Sequence, residues 1–182
     1  QQQSELLAQE RFTEGAFEYA VISDKAVITL CTSQDTAIDV PDTLGGYPVS
    51  TIYPAAFSGL PATVINLPDS VTTIREMAFY NCAYLQSITL PAGTESVGNN
   101  AFDTCTSLET VDLGGAKTIG QSVFYGCTSL KSVTISGECT EISVNGDGDT
   151  PFMDASALEE IIVTEGSGNY CTENGVLYNK DK

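Results

Sequence analysis

Ile74-x-x-x-Ala78-Phe79-x-x-Cys82-x-x-Leu85-x-x-Ile88-x-Leu90-Pro91 is followed by Val97-x-x-x-Ala101-Phe102-x-x-Cys105-x-x-Leu108-x-x-Val111-x-Leu113. A third copy reads Ile119-x-x-x-Val123-Phe124-x-x-Cys127-x-x-Leu130-x-x-Val133-x-Ile135, and a weaker one precedes them at Val49-x-x-Ile52-x-x-x-Ala56-Phe57. The phenylalanines of these units, Phe57, Phe79, Phe102 and Phe124, lie 22, 23 and 22 residues apart. Self-similarity at a period of about 20–30 residues is the mark of a solenoid, in which units stack and each contacts only its neighbours.

Within one unit, Ile88 and Leu90 alternate with Ser87 and Thr89, which predicts a short strand with its apolar face turned inward. Pro91, like Pro68 and Pro41, ends its strand by withholding a backbone donor. The three-residue spacing in Ala78-Phe79-x-x-Cys82 predicts a tight helical or 3₁₀ turn on the far side of the coil. A single unit cannot cover both sides of its own hydrophobic layer. Stacked units do so, with their strands paired in a parallel sheet.

The ends differ from the repeats. Residues 1–12 read as a tether or disordered segment, and Leu6, Leu7 and Phe12 as a short helix is the weaker reading. Over 13–48, Phe17, Tyr19 and Val21 alternate, Ser23-Asp24-Lys25 supplies a turn, and Ala26 to Leu30 gives a second strand, predicting a β-hairpin cap. A degenerate first repeat follows at Ile38-Asp39-Val40-Pro41. The repeats occupy 49–164, closing on the strand Leu158-x-x-Ile161-x-Val163. Over 165–182, Gly175-Val176-Leu177-Tyr178 reads as an incomplete repeat or cap that the chain does not finish. The opening Gln1-Gln2-Gln3-Ser4-Glu5 has no signal-peptide pattern and reads as a mature or trimmed end.

The chain of 182 residues, 42% apolar, suits one domain with a long, thin core, and it has no apolar run of membrane-spanning length. Its 24 acids against 7 bases give a formal charge of −17, which argues against nucleic acid or anionic lipid as a partner. The acids are scattered, as on a solvated, self-repelling surface. Zero histidines exclude Ser-His-Asp and Cys-His hydrolysis and any His-ligated metal. Paired carboxylates of the glycosidase kind remain open at Asp112 and Glu160, but these fall two coils apart, about 10 Å at the usual strand spacing.

Six cysteines invite a disulfide reading: Cys31, Cys82, Cys105, Cys127, Cys139 and Cys171. Yet Cys82, Cys105 and Cys127 hold one repeat position that wants a small buried group, and coils about 4.8 Å apart exceed the roughly 3.5–4.5 Å that bonded Cβ atoms need. A reduced, buried column is the favoured reading. Asn145-Gly146-Asp147-Gly148-Asp149 has the alternating oxygen ligands of a calcium loop, but Thr150 stands at the sixth-position glycine and Ser156 at the bidentate glutamate. A flexible insertion, in the long repeat from Phe124 to Phe152, fits better. No cofactor or metal is expected.

The outward strand positions are the remaining candidates. Coil by coil they are Asn66, then Ser87 and Thr89, Thr110 and Asp112, Ser132 and Thr134, and finally Glu160 and Ile162. They form two columns on one sheet face, where repeat proteins commonly bind partners, although threonine also suits a strand on structural grounds alone.

The unit Ile-x-x-x-Ala-Phe-x-x-Cys-x-x-Leu-x-x-Ile-x-Leu-Pro at Ile74 to Pro91 resembles the BspA-like leucine-rich repeats, and the resemblance runs from about Val49 to Val163. Gly46-Tyr47-Pro48-Val49-x-x-Ile52 and Gly175-Val176-Leu177-Tyr178 resemble that family's flanking segments. Departures are Leu60 in place of the cysteine after Phe57, the insertion before Phe152, and Gly114 where proline usually follows the strand. The expected fold is an α/β solenoid: a right-handed leucine-rich repeat coil with short parallel strands on one face and short helical or 3₁₀ turns or strands opposite. The resemblance implies an extracellular or cell-surface bacterial protein, without catalytic residues, that binds a host or bacterial surface protein or glycan. The alternatives are a structural spacer displaying another domain and, more remotely, a carbohydrate-active β-helix enzyme.

Overall fold

The computed structural model describes residues 9–144, 150–166, 168–173 and 176–180. The calcium-like stretch 145–149, the start of the chain and Gly175 lie outside the described residues. The cap comes first, with β1 (Arg11–Glu14), β2 (Phe17–Ile22) and β3 (Lys25–Cys31) in antiparallel order. The coils then lay down β4 (Ala37–Asp39), β5 (Thr43–Leu44), β6 (Tyr47–Ile52), β7 (Val64–Asn66), β8 (Thr73–Ile74), β9 (Ser87–Thr89) and β10 (Ser96–Val97). They continue through β11 (Thr110–Asp112), β12 (Thr118–Ile119), β13 (Ser132–Ile135), β14 (Glu141–Ile142) and β15 (Glu160–Val163). A last hairpin joins β16 (Tyr170–Glu173) to β17 (Val176–Asn179).

Each coil contributes one strand to each of two sheets. The first runs β4-β7-β9-β11-β13-β15, all parallel. The second extends the cap, in the order β1-β2-β3-β6-β8-β10-β12-β14 with β5 attached to β6, and it is parallel from β3 onward. Identical positions of successive repeats face one another, as in Ile74, Val97 and Ile119. The cap is therefore not a separate plug. It is the first three strands of the sheet the coils propagate.

The third side corrects the expected α/β class, because the described residues contain no helix. Phe57, Phe79 and Phe102 donate their amides to the next coil, to the carbonyls of Ala78, Ala101 and Val123 at 2.8–2.9 Å. The residues two before and two after each phenylalanine do the same, as Met77 to Asn99 at 2.9 Å and Asn81 to Asp103 at 2.8 Å. The amides between and just after them make three-residue turns, such as Tyr80 to Met77 and Cys82 to Phe79. A 3₁₀ helix would use every amide internally. Here every second amide leaves the coil, and the far side becomes another ladder between coils. The alternation needs left-handed backbone at two columns: Ala55, Met77, Asn100 and Ser122 before the phenylalanine, and Gly59, Asn81, Thr104, Gly126 and Asp154 after it.

One hydrophobic core runs from Phe17 to Ile161. Its axis is a continuous ring stack, with Phe17, Phe57, Phe79, Phe102, Phe124 and Phe152 at successive centroid distances of 6.3, 5.4, 5.1, 5.7 and 5.7 Å. From Phe79 onward the rings are parallel within 9°. All six cysteines are free thiols, among them the column Cys82, Cys105 and Cys127 to which the spacing argument applied. The repeat cysteines donate S–H to the phenylalanine carbonyl one coil back: Cys82 to Phe57 at 3.0 Å, Cys105 to Phe79 at 3.2 Å and Cys127 to Phe102 at 3.0 Å. The position thus takes a small buried donor, and cysteine supplies both qualities.

Gly114 has a local cause. Its φ of +56° is left-handed, and a Cβ there would lie 2.2 Å from the Pro91 carbonyl oxygen. Its N–H donates to Asp112 Oδ1 at 2.9 Å, a bond that proline cannot make. The final hairpin docks by polar contacts: the Ile142 amide donates to the Tyr170 hydroxyl at 3.1 Å, and Asn169 Nδ2 donates to the Cys139 carbonyl at 3.1 Å.

Candidate functional site

Parallel pairing sets the strand-face columns without slippage. Ser87, Thr110, Ser132 and Glu160 are register partners, as are Thr89, Asp112, Thr134 and Ile162. Since the buried Ile88, Val111, Val133 and Ile161 lie between them, the outward direction of both columns is fixed by the core. The structure therefore brings all nine predicted positions onto one surface, with Asn66 at its N-terminal end. It also lengthens the columns: Asp39 pairs with Asn66, and Ala37 with the exposed Val64. The alternation Val64-Ile65-Asn66 was the signal for these.

The surface is chemically uneven. Asn66 Nδ2 donates to Asp39 Oδ1 at 2.7 Å, and Asp112 is engaged by Gly114, so these three side chains already have structural work. In contrast, the hydroxyls of Ser87, Thr89, Thr110, Ser132 and Thr134 make no hydrogen bond to any described residue. Some hydroxyls elsewhere on the coils are tied to the backbone: Ser70 donates to the Val49 carbonyl at 2.7 Å, and Thr140 to the Lys117 carbonyl at 3.2 Å. Beside the columns, Lys131 Nζ meets Glu109 Oε2 at 2.7 Å, and this hydrogen bond raises the lysine pKa. A shallow groove of about 310 Å³ crosses β7 and β9, lined by Asn66, Asp69, Ser87, Thr89 and Pro91.

Asp112 and Glu160 fall in different columns two coils apart, and neither faces the other. Among the described residues no group of three His, Cys, Asp or Glu side chains is placed to hold a metal. Burial pushes the Cys31 and Cys139 thiols up, and its thiol neighbours Cys127 and Cys82, with burial, push Cys105 up further. Reactive cysteines are thiolates in electropositive, accessible places; these are the reverse. The sequence reading missed Lys25, Tyr53 and Arg75, which line one groove on the second sheet. The faint signal was that Tyr53 and Arg75 each directly follow an inward isoleucine, Ile52 and Ile74.

The chain is similar to the leucine-rich repeat protein of T. pallidum, at 29% identity over 84% of this chain and 71% of that one, with a TM-score of 0.76. It shares its fold with a leucine-rich cell surface protein from Faecalibacterium prausnitzii (23% identity, 95% of this chain and 59% of that one, TM-score 0.57). The pneumococcal vaccine antigen PcpA shares it too (17% identity, 95% and 54%, TM-score 0.64). The chain spans little more than half the length of these last two. No curated protein matches the sequence. Residues 50–171 match the BspA type leucine-rich repeat region in 6 copies, and the chain belongs to that family.

Proposed function

We propose that the chain is a non-catalytic interaction module of the bacterial surface, and that its strand face binds a protein or glycan. The observation that carries this reading is the set of five register-aligned hydroxyls, on three adjacent coils, whose outward direction the core fixes and which make no hydrogen bond to any described residue. Short hydroxyl side chains at strand spacing present donors and acceptors in a regular lattice, which suits an extended peptide or a run of sugar hydroxyls. The cell-surface relative supports the location.

The test is binding of the purified chain to arrays of host matrix proteins and surface glycans, beside the variant Thr89→Arg/Thr110→Arg/Thr134→Arg. These side chains point outward, so the variant keeps its melting temperature. It is expected to lose the bound array features. Retained binding would sink the strand-face assignment, and a chain that binds nothing on either array would favour a spacer.

A further inference from the structure

A groove of about 260 Å³ lies on the second sheet beside the turn of the N-terminal hairpin, away from the strand face. Register aligns Val27, Thr51 and Thr73 across β3, β6 and β8 as its floor. Ile22 and Lys25, at the hairpin turn, line it together with Tyr53 and Arg75. Tyr53 packs with Ile22 on the small cluster of Ala20 and Val27, so the ring is held in place beside an aliphatic surface. The groove therefore combines a fixed aromatic ring, strand hydroxyls and two cations.

The cations are the informative part. The chain has only 7 lysines and arginines against 24 acids, yet two of them line this one groove. Elsewhere Arg11 and Lys131 are each closed against a glutamate at 2.7 Å. Lys25 is exposed and makes no ion pair with any described residue. Arg75 pairs with Glu76 at 3.4 Å with its side chain 24% exposed, and Lys25 supplies the local excess of positive charge. On a surface that otherwise repels anions, this is where a negative group is welcome.

We propose that this groove binds an acidic sugar residue, a saccharide ring carrying a carboxylate. The ring lies against Tyr53 and Ile22, its hydroxyls meet Thr51 and Thr73, and its carboxylate is placed between Lys25 and Arg75. Each feature excludes a simpler ligand. A neutral sugar leaves the lysine unused, a bare anion leaves the ring and the hydroxyls unused, and the volume suits about one ring rather than a folded partner.

The experiment is NMR titration of the intact chain at low salt with sodium galacturonate, glucuronate and a galacturonate trimer, beside galactose, glucose and acetate. The uronates are expected to shift Thr51, Tyr53 and Thr73 resonances, with galactose, glucose and acetate binding at least about tenfold more weakly. Lys25→Gln, an exposed change in a turn, is expected to weaken uronate binding about tenfold with the melting temperature unchanged. Thr89→Arg on the strand face leaves it unaltered, which separates this site from the other surface. Absence of uronate binding at tens of millimolar, equal binding of acetate, or an indifferent Lys25→Gln variant would each overturn the assignment.

Discussion

At the scale of single residues, the far-side turns set the strictest demand. The column two residues after each phenylalanine is left-handed in every coil, and it is filled by Gly59, Asn81, Thr104, Gly126 and Asp154. Four of these are residue types that tolerate that region, whereas a β-branched threonine does not. Thr104→Asn, which copies the preceding coil, is expected to raise stability by about 0.5–1 kcal/mol in urea titration. Gly126→Val should lower it by about 1–3 kcal/mol, since its φ is +66° and a Cβ would also press the Thr104 methyl at 3.3 Å. Asp103 is the other residue under tension. Burial raises its pKa above 3.8, against the opposing hydrogen bonds from Asn100 and Thr104. A carboxyl that holds its proton more tightly when folded adds stability below its unfolded pKa, and that contribution is lost as pH rises through the higher folded value. Asp103→Asn should therefore be the more stable protein at neutral pH, with a flatter pH dependence through the acid range; a wild-type advantage at pH 7 would contradict the burial argument.

At the scale of the coil, volume is exchanged between positions. After Phe57 the cysteine position holds Leu60, and the position of Leu85, Leu108 and Leu130 holds Ala62; both are buried. The large and small side chains have traded places in the coil that is one residue shorter, so total volume is kept. Ala62→Leu alone should cost about 1–3 kcal/mol by overpacking, and Leu60→Ala alone about 2–5 kcal/mol by leaving a cavity. The double variant should cost less than the sum of the two, which a double-mutant cycle measures. Additive losses would show that the two sites do not share space. Strands and inward residues were legible in the sequence because period-two alternation is a local property, visible in Ser87-Ile88-Thr89. The far side was misread because three-residue spacing belongs equally to a 3₁₀ helix and to turns whose alternate amides bond to the next coil. Only the partner of Phe79 N–H, the carbonyl of Ala101 one coil on, separates the two. The same limit governs the surfaces. Thr89, Asp112 and Thr134 follow from alternation, but the engagement of Asp112 by Gly114 depends on a backbone turn. The placing of Lys25 and Arg75 in one groove depends on how the cap hairpin registers against the coils.

At the scale of the whole molecule, the coils form a one-dimensional stack whose stability is a sum of units and nearest-neighbour interfaces. Phe102 stands mid-stack, with parallel rings at 5.1 and 5.7 Å on its two sides, whereas Phe152 ends the stack with one ring neighbour at 5.7 Å. Phe102→Ala removes a fully buried ring and should cost about 3–5 kcal/mol. Its more telling effect is on cooperativity. The coils before it are held by the hairpin cap, while those after it lose one layer of the core that ties them to that cap, leaving the ladders between coils to carry the coupling. The two halves should then unfold at different urea concentrations, giving a broadened or biphasic curve with a lower apparent m-value. Phe152 is half-buried at the end of the core, so Phe152→Ala should cost less and leave the main transition sharp. If both variants unfold in a single transition of unchanged m-value, the paired sheets bind the coils into one cooperative body, and the nearest-neighbour description fails for this chain.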